Sequence, residues 1–213
     1  MQIYIHRINT IEKLSSIPTK YGVEIDIRSL GNKLLLNHDP LKNNERYDAL
    51  EDYLDNYQQF GIKGGIIFNI KEAGYEDEIL KLANKYQIEN YFLLDVEFPY
   101  LYRATRKEGI RQIAIRYSEA EPIEAVEAQI DAGTPLLDWV WIDTNTRLPL
   151  NNDTVSRLTR FKTCLVCPER WGRPEDIPNY AKQMKRLNFI PTAVMTALPY
   201  ANTWENLYTS DQL

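Results

Sequence analysis

Two histidines, each followed by a charged residue, are the side chains of this sequence best suited to chemistry. The chain of 213 residues contains only two histidines, His6 and His38. The first is followed by Arg7 and the second by Asp39. Histidine gives and takes protons near neutral pH, and arginine offers a planar pair of donors to a phosphate group. These residues therefore predict acid–base chemistry on a phosphate.

A pair of closely spaced carboxylates predicts a cation site. Glu24 and Asp26 alternate with apolar residues in a stretch typical of a β-strand. Residues two apart on a strand project to the same face, where two carboxylates can share a hard cation such as Mg²⁺ or Ca²⁺. Asn69 and Lys71 repeat this spacing in the next predicted core strand. A buried ion pair between Lys71 and one carboxylate is the alternative, since inward polar groups are costly unless paired.

The hydrophobic pattern predicts the elements that must position these residues. Short β-rich runs alternate with longer amphipathic stretches, which is typical of βα units around a parallel sheet. A Gly31-Asn32 turn predicts a short hairpin strand after the second core strand. Eight core strands are predicted at residues 2–6, 23–27, 65–70, 91–96, 112–116, 139–143, 163–167 and 192–196, with the hairpin strand at 33–37. The clearest helices are predicted at residues 49–60, 75–86, 122–131, 152–160 and 177–187.

This alternation predicts an α/β fold, a compact TIM-type (β/α)8 barrel that forms a single domain over residues 1–213. Reactive groups in such barrels lie at the carboxyl ends of the strands, where the βα loops form the mouth. Both histidines fall at predicted strand ends. One histidine at a strand end is more often structural, whereas two at converging ends favour catalysis. Trp171, which follows the seventh strand, is predicted to line the mouth.

Composition narrows the possible partners. Twenty-five basic and thirty acidic residues give a net charge of −5, which argues against a nucleic-acid partner. No run of eighteen apolar residues is present, so membrane insertion is not expected. The first residues lack the features of a secretory signal, and a cytoplasmic location is expected. Cys164 and Cys167 lack a second metal-binding pair and are predicted to be buried small side chains.

Five short motifs occur in the order and types of a known family. They are His6-Arg7, Asn9-Thr10, Glu24-Ile25-Asp26, His38-Asp39-Pro40-Leu41 and Phe68-Asn69-Ile70-Lys71. Together they resemble the glycerophosphodiester phosphodiesterase family, a group of PLC-like phosphodiesterases in the TIM-barrel superfamily. The motifs cover about the first third of the chain, and Met195-Thr196-Ala197-Leu198-Pro199 is a weaker match to the closing segment of the family.

The resemblance implies a metal-dependent phosphodiesterase that cleaves a small soluble glycerophosphodiester, with a cyclic phosphate as a possible intermediate. By position, His6 and His38 would transfer protons, and Arg7 and Lys71 would bind the substrate phosphate. Glu24, Asp26 and Asn69 would then hold one divalent cation, Mg²⁺ or Ca²⁺.

The chain departs from the family in three places. Asn69 stands where the family has a third carboxylate, and Ile8 stands where it has a glycine. The short segment between His38 and Lys71 leaves no room for the insertion that often covers the glycerol pocket. Glu97, after the fourth core strand, is a candidate substitute for the carboxylate that is missing at position 69.

Two other functions agree with the same residues. The first is a non-catalytic phosphoester-binding barrel whose metal site has decayed through Asn69, although retention of both histidines argues against it. The second is an aldolase-like barrel in which Lys71 forms a Schiff base, since a lysine at a strand end can act as a nucleophile when its pKa is lowered. Neighbouring carboxylates favour a charged Lys71 and argue against the aldolase.

Overall fold

The structure of the chain is a computed structural model that describes residues 1–209. Eight parallel strands alternate with helices in the described part, as the sequence predicted. The chain packs into two compact units, one formed by Tyr4–Leu101 and the other by Met1–Ile3 with the chain from Tyr102 onward. Every residue of the predicted catalytic and metal sites lies in the first of these units.

The Tyr4–Leu101 unit contains the first half of the βα series. Its core strands pair in the order β5-β4-β2-β1, all parallel, and β3 pairs antiparallel with the far end of β2. The elements are β1 (Gln2–Ile5), α1 (Ile11–Ser16), β2 (Gly22–Leu30), β3 (Lys33–Leu36), α2 (Leu50–Gln59), β4 (Ile66–Ile70), α3 (Glu76–Lys85), β5 (Tyr91–Leu94) and α4 (Phe98–Arg103).

Burial explains why these residues form these elements. Val23, Ile25 and Ile27 of β2 are almost completely buried, and so are the acidic residues between them. A strand that is buried on both faces is typical of a parallel sheet covered by helices. Helix α2 buries Leu50, Tyr53, Leu54 and Tyr57, which recur at the spacing of one helix face. The polar pair in β2 is therefore placed inside an apolar sheet.

The other unit continues the series from Tyr102. Its core strands pair in the order β11-β10-β9-β6, all parallel. A π-helical turn (Ala104–Glu108) precedes β6 (Ala114–Tyr117), α5 (Ile123–Glu127), β7 (Ile130–Asp131), β8 (Thr134–Pro135), β9 (Trp139–Ile142), α6 (Asn152–Leu158) and β10 (Lys162–Val166). Two 3₁₀ turns (Pro168–Trp171 and Pro174–Asp176), α7 (Ile177–Arg186), β11 (Ala193–Thr196), a third 3₁₀ turn (Leu198–Tyr200) and α8 (Ala201–Thr209) follow.

The predicted strands are confirmed, and the differences lie mainly in the helices. The predicted helix at 122–131 ends at Glu127, and the β7–β8 hairpin follows in its place, with Ala132 and Gly133 at positive φ in the turn between the two strands. Helix α6 is capped by the side chain of Asn151, which accepts from the amide of Thr154. Helices α1, α4 and α8 were not among the predicted helices. The segment between β1 and β2 contains α1, which Thr10 caps by accepting from the amide of Lys13.

Two smaller predictions have clear outcomes. Cys164 and Cys167 are both buried free thiols, as predicted. Burial raises the pKa of the Cys167 thiol well above its usual range, which makes that thiol inert. Within residues 1–209, no helix combines the length and apolar character needed to cross a bilayer.

Candidate functional site

Glu24 lies at the centre of the first cluster of predicted site residues. Its carboxylate is 1% exposed and accepts two hydrogen bonds, one from the backbone amide of Arg7 at 2.8 Å and one from Nδ2 of Asn69 at 2.8 Å. Nε2 of His6 lies 3.9 Å from Oε2 of the same carboxylate. Strand β2 thus brings three predicted site residues around Glu24, from the end of β1 and from β4.

Asp26 forms a second cluster two residues along the same strand. Its side chain is fully buried, and Nζ of Lys71 lies 3.1 Å from Oδ1. Asn9 holds the other side, because its Nδ2 donates to Oδ2 of Asp26 and its Oδ1 accepts from the amide of Asp26, both at 2.8 Å. The ion pair that the sequence left open is therefore present between Lys71 and Asp26.

Asn9 is a site residue to which the sequence assigned no role. It lies shortly after His6-Arg7, and its side chain both donates a hydrogen bond to Asp26 and accepts one from it. Its place inside the Asn9-Thr10 motif was the signal that could have identified it. Since both of its hydrogen bonds end on one residue, Asn9 fixes the rotamer of the Asp26 carboxylate.

The groups around the buried carboxylate of Glu24 do not fully stabilise its negative charge. Burial, together with the neighbouring charge of Asp26, raises the pKa of Glu24 to about 7. Hydrogen bonds from Asn69 and from the amide of Arg7, with the charge of Lys71, oppose this rise and do not cancel it. A site in which a carboxylate resists ionisation at neutral pH is one that an added cation would stabilise.

The raised pKa of Glu24 predicts an unusual dependence of stability on pH. Between pH 4.5, the ordinary value, and about pH 7, the folded chain holds a proton on Glu24 that the unfolded chain has lost. Stability then falls as pH rises through this window, by about 3 kcal/mol from this group. In EDTA, we expect the Glu24→Gln variant to become more stable relative to the native chain as the pH rises from 4.5 to 7.5. The quantity compared is the free energy of unfolding of the two proteins. Urea unfolding at both pH values measures it, and a constant difference would contradict the assigned pKa.

Arg7 takes a backbone conformation that aims its amide at Glu24. Its φ is +55°, in the left-handed region that is unusual for a residue other than glycine. Ile8 has no positive φ, and its amide donates to the carbonyl of Glu24 at 3.0 Å. The replacement of the family's glycine by Ile8 is therefore accommodated without left-handed strain. Nε of Arg7 is buried and has no hydrogen-bond partner within residues 1–209.

His38 follows strand β3 and is held by neighbouring groups. Its Nδ1 lies 2.8 Å from Oδ1 of Asp39, a contact that leaves Nε2 as the nitrogen able to exchange protons with a ligand. The hydrogen bond from His38 is the largest influence that lowers the pKa of Asp39, and the charges of Arg7 and Arg28 lower it further. The amide of Asn37 donates to the carbonyl of Asp26 at 3.0 Å, which ties this segment to the acidic strand.

The donors for a cation are two carboxylates and one amide oxygen. Oδ1 of Asn69 is buried and has no hydrogen-bond partner in the described chain. Each carboxylate oxygen of Glu24 and Asp26 accepts one contact and keeps a second lone pair. Residues 1–209 contain no group of three or more His, Cys, Asp or Glu arranged to hold a metal. The donor set therefore fits a hard cation only with Asn69 included.

Glu97 and Trp171 remain predictions. Glu97 is exposed just before α4, where its carbonyl accepts from the amide of Leu101. Trp171 ends a 3₁₀ turn, is 43% exposed, and stacks with the guanidinium of Arg170 at 5.5 Å from its ring centre. The exposure of Trp171 agrees with a surface position, and its place at the mouth stays a prediction.

The fold is shared with structures of one enzyme class. A glycerophosphodiester phosphodiesterase from Thermotoga maritima is 17% identical, with a TM-score of 0.63, over 91% of this chain and 93% of that one. A protein from Galdieria sulphuraria, provisionally assigned to the same class, is 13% identical with a TM-score of 0.70 over 96% of both chains. A phosphodiesterase from Oleispira antarctica, in complex with the product sn-glycerol-3-phosphate, is 15% identical with a TM-score of 0.63 over 97% and 96%.

These likenesses define the fold of the chain. No protein-family model matches the sequence, and no curated protein matches it closely. The structural likeness nevertheless spans almost the whole chain at identities of 13–17%. The chain therefore has the TIM-type (β/α)8 fold seen in glycerophosphodiester phosphodiesterases. At the level of fold, the predicted barrel and the predicted resemblance are confirmed.

Proposed function

We propose that this protein is a phosphodiesterase that cleaves a small glycerophosphodiester with the help of one divalent cation. The observation that carries the proposal is the cluster around Glu24, in which His6, the amide of Arg7 and Asn69 meet one buried carboxylate. A proton-transfer group, the backbone of the arginine proposed to bind phosphate, and a cation ligand thus all lie within 3.9 Å of one carboxylate. Structural neighbours of this fold include phosphodiesterases, one of them bound to sn-glycerol-3-phosphate, which supports a small phosphodiester as the ligand.

The reaction follows from the chemistry of these side chains. One histidine takes the proton from an attacking hydroxyl, either water or a neighbouring hydroxyl of the substrate, as its oxygen bonds to phosphorus. The other histidine gives a proton to the departing alkoxide as the second P–O bond breaks. Attack by a substrate hydroxyl yields a cyclic phosphate, and attack by water yields the monoester directly. Each histidine ends with the protonation state that the other began with.

Arg7 and Lys71 bind the phosphate in this proposal. Nε of Arg7 is a buried donor that a phosphate oxygen would satisfy, and a bidentate arginine contact also orients the phosphate. Lys71 is anchored on Asp26 through one contact at 3.1 Å and has further donors for a second partner. The positive side chains of Arg7 and Lys71 offset the negative charge of Glu24 and Asp26, so a negatively charged phosphodiester can approach.

Glu24, Asp26 and Asn69 would hold the cation. A bound Mg²⁺ or Ca²⁺ neutralises charge that develops on the phosphoryl oxygens. The raised pKa of Glu24 and the unpartnered Oδ1 of Asn69 support a cation at this place. With only two carboxylates, the affinity should be weaker than for a site with three.

The non-catalytic binding barrel is the second candidate, and a specific observation keeps it open. Three of the four carboxylate oxygens of Glu24 and Asp26 accept a hydrogen bond from the protein, and the fourth, Oδ1 of Asp26, lies against the ammonium group of Lys71. A site that no longer needs a metal would look like this. The Schiff-base aldolase is disfavoured, because an ammonium group held on a buried carboxylate is poorly placed to act as an amine nucleophile.

Hydrolysis of a panel of glycerophosphodiesters tests the proposal. The native chain would be assayed with glycerophosphocholine, glycerophosphoethanolamine, glycerophosphoglycerol and glycerophosphoinositol, each with Mg²⁺, Ca²⁺, Mn²⁺ or EDTA. We expect at least one diester to be cleaved with a cation and not with EDTA. Cleavage of none would reject the enzyme, and binding of the diesters without cleavage would establish the binding barrel.

Asn69→Glu is expected to raise the affinity for Mg²⁺ or Ca²⁺ by roughly tenfold, because a third carboxylate adds charge to the ligand set. Without cation, the variant should be less stable than the native chain, since it replaces the donor to Oε1 of Glu24 by another carboxylate. Isothermal titration calorimetry and thermal unfolding measure the two effects. Asn69→Ala is the matched control and should bind cation more weakly than the native chain. Equal affinities in all three proteins would remove Asn69 from the ligand set.

A further inference from the structure

Arg28 donates three hydrogen bonds, to His38 and Glu72, and has no role in the proposed reaction so far. It lies on β2 two residues beyond Asp26, so Glu24, Asp26 and Arg28 share one face of the strand. Its Nη2 and Nε both donate to the backbone carbonyl of His38, at 2.7 and 3.2 Å. The guanidinium side chain is only 15% exposed. Two donors from a planar group on one oxygen define both the distance and the direction of that carbonyl.

Glu72 holds Arg28 in this position. Its Oε1 accepts from Nη1 of Arg28 at 3.2 Å, and its Oε2 accepts from the amide and the hydroxyl of Ser29 at 3.0 and 2.6 Å. The hydrogen bonds from Ser29 and Arg28 outweigh the effect of burial and lower the pKa of Glu72. Glu72 directly follows Lys71, so the contacts of Arg28, Glu72 and Ser29, here called the bracket, join the ends of β2 and β4 to the segment after β3.

Resting on the proposed function, we propose that Arg28 is a positioning residue that holds His38 in place for proton transfer. The bracket consists of Arg28, Glu72 and Ser29. Through Arg28 it donates to the backbone carbonyl of His38, while Asp39 contacts Nδ1 of the His38 ring. His38 lies outside the regular strands, and its side chain is 36% exposed. Without the bracket, the nearest contact that holds this segment to β2 on the N-terminal side of His38 would be the hydrogen bond from the amide of Asn37 to the carbonyl of Asp26.

Position matters here because proton transfer needs hydrogen-bond distance to the reacting oxygen. A displacement of about 1 Å from a change outside the reacting groups can cost a hundredfold in rate. Loss of the bracket should therefore act on the chemical step more than on binding. Arg28 touches neither the carboxylate of Glu24 nor that of Asp26 through any hydrogen bond in the described chain, so cation affinity should stay unchanged.

The kinetic test uses two variants of the bracket and one control. Arg28→Gln should lower kcat by about tenfold to a hundredfold while KM and the cation affinity change less than threefold. Arg28→Lys keeps the charge for Glu72 with fewer donors, and it should fold normally and lose less. Lys85→Gln is the control, since it removes an exposed ion pair with Glu51 in the same unit and should leave kcat unchanged. An unchanged kcat in Arg28→Gln, with turnover in the native chain, would overturn the proposal.

A second readout does not need a substrate. The chain has only two histidines, so ¹³C-labelled histidine gives two imidazole signals that His38→Ala assigns. In Arg28→Gln and Glu72→Gln, we expect the His38 signal to shift and to show faster motion, while the His6 signal stays. If the native chain cleaves no diester but the His38 signal responds, the proposed function fails and the bracket stands. If neither variant changes the His38 signal, the bracket is only structural.

Discussion

Replacing His6 by alanine is expected to lower kcat for a cleaved glycerophosphodiester by about 10²–10⁴-fold, with a much smaller change in KM. Removal of one proton-transfer group typically has an effect of this size. His6 lies 3.9 Å from Glu24 and is one of only two histidines in the chain. No other imidazole is present to replace it except His38, which the mechanism already uses. Steady-state kinetics on the best substrate of the panel measures the loss.

The companion variants make this result specific. His38→Ala should show a loss of similar size, and the double variant should lose little more than either single one, because residues that act as a unit are not additive. Thermal unfolding should show that all three proteins remain folded, since His6 and His38 are not core residues. If His6→Ala keeps more than half of the native kcat, His6 is not a proton-transfer group. Full additivity of the two losses would indicate that the histidines act independently.

The residues that share one face of a strand could be predicted, because the alternation of side chains along a strand depends only on their spacing in the sequence. The alternation of Glu24 and Asp26 with Val23, Ile25 and Ile27 is enough to place both acids on one face of β2. The same rule relates Asn69 on β4 to Lys71, the residue that directly follows this strand. The order of the motifs predicted which segments lie beside β2, and in the structure the backbone amide of Arg7 and the side chain of Asn69 both contact Glu24.

Contacts that depend on side-chain direction could not be predicted in this way. Spacing alone allowed Lys71 to pair with either acid, and only the structure shows that its ammonium lies on Asp26. Asn9 and Arg28 appeared as ordinary polar residues, because their roles arise from partners 17 and 10 positions away. The β7–β8 hairpin was also missed, since it depends on two consecutive residues with positive φ. Helical periodicity up to Glu127 gave no sign of that turn.

Lys71→Met is expected to lower the free energy of unfolding by about 3 kcal/mol in the absence of cation, because breaking a buried ion pair costs about 3–5 kcal/mol and Lys71 retains some exposure. The side chain of Asp26 is 0% exposed and that of Lys71 is 17% exposed. Methionine fills a similar volume without the ammonium group, so the loss reports the uncompensated charge. Asn9 still donates to Oδ2, which prevents a complete loss of hydrogen bonding. Urea unfolding in EDTA measures the change.

Three comparisons separate charge from packing in this prediction. Lys85→Met breaks an exposed ion pair with Glu51 and should lower the free energy of unfolding far less than Lys71→Met does. Asp26→Asn added to Lys71→Met should recover a large part of the loss, since it removes the buried charge and keeps an acceptor for Asn9. Saturating Mg²⁺ or Ca²⁺ should stabilise Lys71→Met more than the native chain, because a cation at Asp26 replaces the missing ammonium charge. If Lys71→Met is no less stable than Lys85→Met, the ion pair with Asp26 does not hold the acidic strand together.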